Sequence, residues 1–250
     1  MNVWTSTADW RKARAALPGT SLGFVPTMGA LHTGHRALLA RARADNDCVV
    51  LSIFVNPTQF NDPADLAKYP RTLEADLAMA AGLVDHVIVP TAAEMYPDNY
   101  HYRVTENSQS RRMEGAHRPG HFDGVLTVVL KLLNLVQPKR AYFGEKDWQQ
   151  LQLVRGMVQA LLLPVEIVAC PTEREPDGLA LSSRNRRLPP AARERAPQFS
   201  KILRTAPSAE AATAALQEAG FKVDYVADEA GRRLGAIHVD NVRLIDNVRL

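Results

Sequence analysis

The sequence predicts an α/β protein: a doubly wound parallel sheet followed by a small C-terminal α+β domain. Three observations carry this prediction. Over the first 170 residues, short continuous apolar runs alternate with segments of helical spacing, the signature of strands buried on both faces and linked by crossover helices. A polar stretch punctuated by Pro171, Pro176, Pro189 and Pro190 then breaks the alternation. Beyond it, two helical patterns precede three closely spaced strand-like runs, which is α+β order. The expected division is therefore 1–170 as the α/β domain, 171–186 as linker and binding loop, and 187–250 as a small α+β lid.

The elements follow in order. Residues 22–25 (LGFV) form a short apolar run that stops at Pro26 and read as a buried strand. After Gly29 and Gly34, residues 35–45 place Leu38, Leu39 and Ala42 on one helical face. Residues 48–55 (CVVLSIFV) read as a strand buried on both sides. Residues 72–81 read as a helix and 85–89 as a strand. In 125–136 the apolar positions 125, 128, 129, 132, 133 and 136 have helical spacing. A strand at 140–143, a helix at 147–162 and a strand at 165–169 complete the first domain. The second has helices at 191–203 and 209–219 and strands at 221–226, 236–239 and 242–245.

The composition excludes several classes. The chain has 250 residues, 46% apolar and 23% charged, which is ordinary globular usage. A net charge of +3 is too mild to indicate a nucleic-acid partner. The longest apolar stretch, GVLTVVLKLLNLV, carries Lys131 and Asn134 and is too short to span a bilayer, so no membrane partner is expected. Two cysteines in apolar runs, Cys48 and Cys170, fit a reducing compartment, and a cytoplasmic location is expected. The phosphate-loop, dinucleotide, zinc-helix and nucleophile-elbow signatures do not occur.

Ligands of parallel sheets bind beyond the carboxyl ends of the strands. That rule selects the loops 26–35, 56–60, 144–150 and 170–187. In the first, His32-Thr33-Gly34-His35 falls between a strand and a helix. Backbone N–H groups and the positive dipole end there suit a phosphate, and two imidazoles can donate hydrogen bonds or protons to it. Isolated, this pattern would more often be two surface histidines; its position after the strand favours the phosphate reading. In the third, Gly144-Glu145-Lys146-Asp147 supplies a mobile point charge, although Asp147 also suits a helix N-cap. In the fourth, Ser182, Ser183, Arg184, Arg186 and Arg187 mix hydroxyls with guanidiniums, a set suited to an anion or to a solvated basic face. In the second, Asn56 suits a turn before Pro57, while Gln59 suits recognition of a small polar substrate.

In combination these segments resemble the pantothenate synthetase (pantoate–β-alanine ligase) family. The resemblance runs through FVPTMGALHTGH (24–35), SIFVNPTQF (52–60), YPRT (69–72), EGAHRPGHFDGVLTVVLKL (114–132), FGEKDWQQL (143–151) and DGLALSSRN (177–185), with weaker similarity at VRLIDN near the end. It implies a Rossmann-like nucleotidyltransferase fold and an ATP- and Mg²⁺-dependent ligase in which pantoate is adenylated and β-alanine then displaces AMP. By position, Met28, Gly29, Ala30, Leu31, His32, Thr33, Gly34, His35, Gly144, Glu145, Lys146, Asp147, Glu173, Leu181, Ser182, Ser183 and Arg184 would hold ATP. His35, His32, Lys146 and Arg184 would be catalytic, His35 as the acid. Gln59 and Gln150 would hold pantoate, Gln59 would also reach β-alanine, and Asp76 would lie in the Mg²⁺ region. Leu181 stands where Met is usual, and the second domain looks shorter than the family's after Val226. A homodimer is implied by the resemblance alone. The alternatives are another nucleotidyltransferase, which leaves the nucleotide on its acceptor, and a non-catalytic nucleotide-binding module.

Overall fold

A computed structural model describes residues 1–17 and 19–250. The elements are β1 (Asn2–Trp4), α1 (Thr7–Ala15), β2 (Leu22–Thr27), α2 (Thr33–Asp45), β3 (Cys48–Ile53), α3 (Pro63–Ala67), α4 (Leu73–Ala80), β4 (His86–Ile88), α5 (Ala92–Met95), α6 (Glu114–His117), α7 (His121–Val136), β5 (Arg140–Gly144), α8 (Trp148–Ala160) and β6 (Glu166–Cys170). They continue with α9 (Pro190–Arg195), α10 (Pro197–Thr205), α11 (Ala209–Glu218), β7 (Lys222–Glu229), β8 (Arg232–Val239) and β9 (Val242–Arg249). Single 3-10 turns occupy Pro57–Gln59, Gln109–Arg111, Glu145–Asp147 and Ser183–Arg187.

The contacts divide the chain into two compact units. The first comprises Met1–Leu31, His35–Phe143 and Gln149–Cys170; the second comprises His32–Gly34, Gly144–Trp148 and Pro171–Leu250. The second unit is thus assembled from three stretches of chain.

The first unit is the expected parallel sheet, in the order β1-β4-β3-β2-β5-β6 with helices around it. Every residue of β3 is buried, as its nearly continuous apolar run requires. Val25, Leu39, Val49, Leu51 and Val87 are the centre of its core. The edge strand β1 and helix α1 were not anticipated. Ser6 caps α1 by accepting from the Asp9 N–H, and Trp10, fully buried, donates its indole N–H to Leu135 O at 2.9 Å. Helix α7 begins a turn before the apolar periodicity, because His121 and Phe122 are buried as well.

The second unit packs α10 and α11 on the antiparallel sheet β7-β8-β9. Phe199 and Leu203 of α10 approach so closely that a Cβ at Gly235 would lie 3.1 Å from Phe199. Arg233, buried, forks Asp228 at 2.7 and 2.8 Å and donates to Leu203 O at 3.3 Å, closing the C-terminal end of α10. The single helix expected at 191–203 is two helices, α9 and α10, meeting at Pro197, whose missing N–H interrupts the ladder. The three strands are each eight residues, longer than their apolar cores suggested.

Candidate active site

The strand order reverses between β2 and β5. β2 pairs with β3 along its whole length, Leu22 through Thr27, but with β5 only at Gly23 and Phe24. Thr27 O accepts from Phe54 N, so the neighbouring Pro26 faces the β5 side, where the ladder has already ended. A residue without an N–H costs nothing there, which explains how β2 runs through Pro26 instead of stopping. Separation of two strands at their carboxyl ends is the crevice that doubly wound sheets offer to ligands. From these two ends the chain enters the His32–His35 and Gly144–Trp148 segments.

The turn after β2 is held by a buried carboxylate. Gly29 and Ala30 have φ of +79° and +50°, left-handed values that a non-glycine such as Ala30 adopts only under constraint. Asp76, 2% exposed, supplies the constraint: Oδ2 accepts from Ala30 N at 3.0 Å and Oδ1 from Leu31 N at 2.7 Å. Thr72 Oγ1 reaches both oxygens at 3.3 Å. A Cβ at Gly29 would sit 2.9 Å from Asp76 Oδ2. Asp76 was expected in a metal region; its geometry is that of a clamp on the 29–31 turn. Among the described residues, no three His, Cys, Asp or Glu side chains gather as metal ligands.

Gln59 is aimed by a polar network that the sequence shows only in part. Asn56, buried, donates to Gln59 Oε1 at 3.0 Å and to Gly124 O at 3.2 Å, and its Oδ1 accepts from Tyr96 OH at 2.6 Å. That fixes the Gln59 amide with its Nε2 toward Met28 Sδ, 3.1 Å away and a weak acceptor that a ligand oxygen readily replaces. The Gln59 carbonyl is gripped by His121 Nδ1 at 2.8 Å and Arg118 Nη2 at 3.3 Å. Arg118 also donates to His121 Nε2 at 3.0 Å, so the proton of the neutral ring sits on Nδ1. A Cβ at Gly124 would lie 2.4 Å from Thr58 O, so α7 and the 57–59 turn meet backbone to backbone. Gln150, half-buried on the first turn of α8, is separate from this network. Its neighbour Gln149, which no motif argument singled out as structural, ties Gln109 O, Arg112 O and Glu114 N together at 2.7–3.0 Å.

The second unit holds His32–Gly34, Gly144–Asp147, Glu173 and Leu181–Arg184, while His35 belongs to the first. His32 lies in the field of Lys146 and Arg186, and burial first, then these two cations, push its pKa down to about 4 against a partial opposing effect of Asp147. The imidazole is therefore neutral near pH 7. A Cβ at Gly34 would stand 2.9 Å from His32 Cε1, so the glycine lets the ring fold back over its own turn. Among the described residues, no carboxylate pairs with Lys146. Asp147 is not the N-cap of α8; the 3-10 turn Glu145–Asp147 runs directly into the helix, with Gly144 ahead of it. Glu145 is engaged by Arg232 at 2.5 Å, and Arg232 stacks on Trp148 at 3.9 Å. Glu173 O accepts from Leu181 N at 3.0 Å at the mouth of a small hairpin, and Ser182 Oγ caps the Ser183–Arg187 turn through Arg184 N at 3.2 Å. His35 follows in the first turn of α2. Arg232 and Asn247, which touch the Glu145–Asp147 turn, were invisible in the sequence because their partners lie about a hundred residues away.

A six-stranded parallel sheet with this switch point, followed by a small antiparallel sheet, defines a doubly wound α/β protein with a small C-terminal domain. The model of the pantoate-beta-alanine ligase family matches residues 2–249, and the chain belongs to that family. It is 56% identical over 249 residues to a pantothenate synthetase of Bdellovibrio bacteriovorus, covering 99% of each chain. It is 50% identical over 252 residues to one of Legionella pneumophila, covering all of both. The crystal structure of a pantothenate synthetase from Thermus thermophilus superposes with a TM-score of 0.91 at 46% identity, covering 100% of this chain and 99% of that one. A Francisella tularensis pantoate-beta-alanine ligase, solved with β,γ-ATP and β-alanine, superposes with a TM-score of 0.94 at 40% identity, covering 100% and 97%. The protein is accordingly a ligase of pantothenate biosynthesis. The alignments to these relatives run through the second domain. Among the described residues, no helix is long and apolar enough to cross a membrane.

Proposed function

We propose that the protein condenses (R)-pantoate with β-alanine in two steps. The pantoate carboxylate attacks the α-phosphorus of ATP; the P–O bond to pyrophosphate breaks and pantoyl adenylate forms. The β-alanine amine then attacks the acyl carbon, the acyl–phosphate bond breaks, and AMP leaves with pantothenate. Neither step needs an enzyme nucleophile. What the chain must supply is fixed charge where the phosphate gains it.

The observation that carries this reading is the match of the pantoate-beta-alanine ligase family model over residues 2–249, to which Lys146 and Arg186 add positive charge beside His32. Such charge fits a polyanion. In this proposal Met28–His35, Gly144–Asp147, Glu173 and Leu181–Arg184 hold ATP. Lys146 and Arg184 stabilise the triphosphate, neutral His32 donates to it, and His35 is the acid. Gln59 and Gln150 hold pantoate, and Gln59 also reaches β-alanine. Mg²⁺ would be carried by the ATP phosphates and would supply charge neutralisation there, since this ion binds through few carboxylates and substrate oxygens; Asp76, with both oxygens accepting N–H groups, does not suit a cage for it. A homodimer in the cytoplasm completes the proposal, and sedimentation velocity at micromolar concentration checks the assembly.

The test is product analysis with ATP, pantoate and β-alanine. AMP, pyrophosphate and pantothenate in equal amounts are expected. A stable nucleotidylated pantoate that β-alanine does not consume would make the protein a nucleotidyltransferase instead, and tight ATP binding without turnover would make it a binding module.

A further inference from the structure

The VRLIDN segment near the C-terminal end has no part in the chemistry above, yet two of the nucleotide-side loops converge on it. Asn247, 3% exposed, donates through one Nδ2 to both Glu145 O at 2.8 Å and Lys146 O at 2.9 Å. Its Oδ1 accepts from Arg232 Nη1 at 2.6 Å, the guanidinium that also binds Glu145 and stacks on Trp148. All the side-chain hydrogen-bonding capacity of this amide that faces the 145–147 turn is therefore spent on it. The residue before, Asp246, is equally buried and grips Arg174 in a two-pronged pair at 2.7 and 3.0 Å. The same guanidinium donates to Gly178 O and Asn247 O at 3.1 Å each. That locks the hairpin in which Arg174 bridges Ala180 and Glu173 O meets Leu181 N.

Two consecutive side chains of one strand thus hold two loops that are about thirty residues apart in sequence. β9 is a rigid element, paired with β8 along its whole length. A loop carries a charge accurately only if a rigid neighbour fixes its backbone, and displacement of a positioned group by about 1 Å costs on the order of 10²-fold in rate.

We propose that Asp246 and Asn247 are positioning residues for adenylation: they set the Lys146 turn and the Glu173–Leu181 hairpin at one fixed spacing from a common strand. The proposal rests on the assignment of Lys146 and the 181–184 segment to the triphosphate. It makes a directional demand. Pyrophosphate has left before β-alanine attacks, so loosening the Lys146 turn harms the first step far more than the second.

Asn247→Asp keeps the shape but turns an N–H donor into an oxygen facing two carbonyls. Arg174→Lys keeps the charge and loses the fork to Asp246. Both are measured in pantoate-dependent ATP–pyrophosphate exchange and, separately, in the reaction of supplied pantoyl adenylate with β-alanine, each rate taken per folded molecule by circular dichroism. The expected result is a rise in the ATP KM of exchange of about tenfold or more in each variant, as loss of one or two buried hydrogen bonds implies. The second reaction should stay within about threefold of wild type. Where Asn247→Asp fails to fold, Arg174→Lys decides by the same split. An unchanged ATP KM, or equal losses in both half-reactions, overturns the positioning role. Absence of exchange in the wild-type enzyme overturns the functional assignment itself and is thereby told apart.

Discussion

His32 and His35, three residues apart, are set for different work. Burial and the charges of Lys146 and Arg186 hold His32 uncharged down to about pH 4. The unfolded chain protonates the same ring near pH 6.5. Between those values the unfolded state binds a proton that the folded state does not, so stability is fully present above about 6.5 and falls as the pH drops toward 4. The ceiling is about 1.4 kcal/mol per pH unit, and screening at a partly exposed ring reduces it to roughly half. His32→Asn should therefore flatten the urea midpoint between pH 6.5 and 4.5; a variant that loses stability over this range as steeply as wild type contradicts the assignment. In the proposed reaction His35 has the other role, in the first turn of a thirteen-residue helix whose N-terminal N–H groups favour phosphate. His35→Ala should slow single-turnover adenylate formation by about 10²–10⁴-fold with the fold unchanged, the usual loss for a transition-state donor or acid. Formation within threefold of wild type would remove His35 from the chemistry.

Among the elements, α7 shows two opposed effects at one residue. Gly124 lies in the helix interior, where alanine is intrinsically better by about 1 kcal/mol. Its missing Cβ, however, is what lets the backbone of Thr58 approach, and the added atom would stand 2.4 Å from Thr58 O. Backbone cannot rotate out of the way as a side-chain end can. The clash therefore wins, and Gly124→Ala should lower stability by about 1–3 kcal/mol, the range for overpacking. It should also displace Gln59 and raise the pantoate KM, read from exchange kinetics, with the ATP KM nearly unchanged. A more stable variant with normal kinetics would show that the turn yields freely. This element also marks where sequence reading stops. The apolar spacing of α7 predicts a helix, but the partners of Gly124, His121 and Arg118 lie about sixty residues back, at Thr58 and Gln59. The strands β2 to β6 were legible because each contains a short apolar run. The edge strand β1 was not, since its three residues are largely exposed and pair with His86–Ile88 far along the chain. The division of 191–203 into two helices was signalled by Pro197, which outweighs the apolar spacing on both sides.

On the scale of the whole molecule, the second unit is discontinuous in sequence but its core is not. Every residue of that core, from Leu179 through Phe199, Leu203 and Phe221 to Val248, lies within Pro171–Leu250. The two short stretches that join it from earlier in the chain, His32–Gly34 and Gly144–Trp148, bring polar and charged groups. That separation of tasks explains why the loops carrying the candidate chemistry were readable as motifs while their supports, Arg232, Asp246 and Asn247, were not. The motif residues stand together in short runs, whereas their supports are single positions on strands otherwise patterned for a core. It also yields a prediction. A fragment of residues 171–250 keeps α10 and α11 on the three-stranded sheet, keeps Arg233 forked on Asp228, and keeps Arg174 on Asp246. It loses Glu145 and Trp148 from Arg232 and two carbonyls from Asn247. Those groups become solvated rather than buried without partners, so the loss is modest, about 1–3 kcal/mol in place of the penalty for an orphaned charge. At eighty residues a single core remains sufficient for a marginal fold. The fragment should therefore unfold in urea as one cooperative transition, with a midpoint below that of the corresponding transition in the full chain. The three tryptophans lie at positions 4, 10 and 148, outside the fragment, so far-UV circular dichroism is the signal to follow. A broad, non-cooperative melt would mean that the Glu145–Asp147 turn is part of the folding core and not an addition docked upon it.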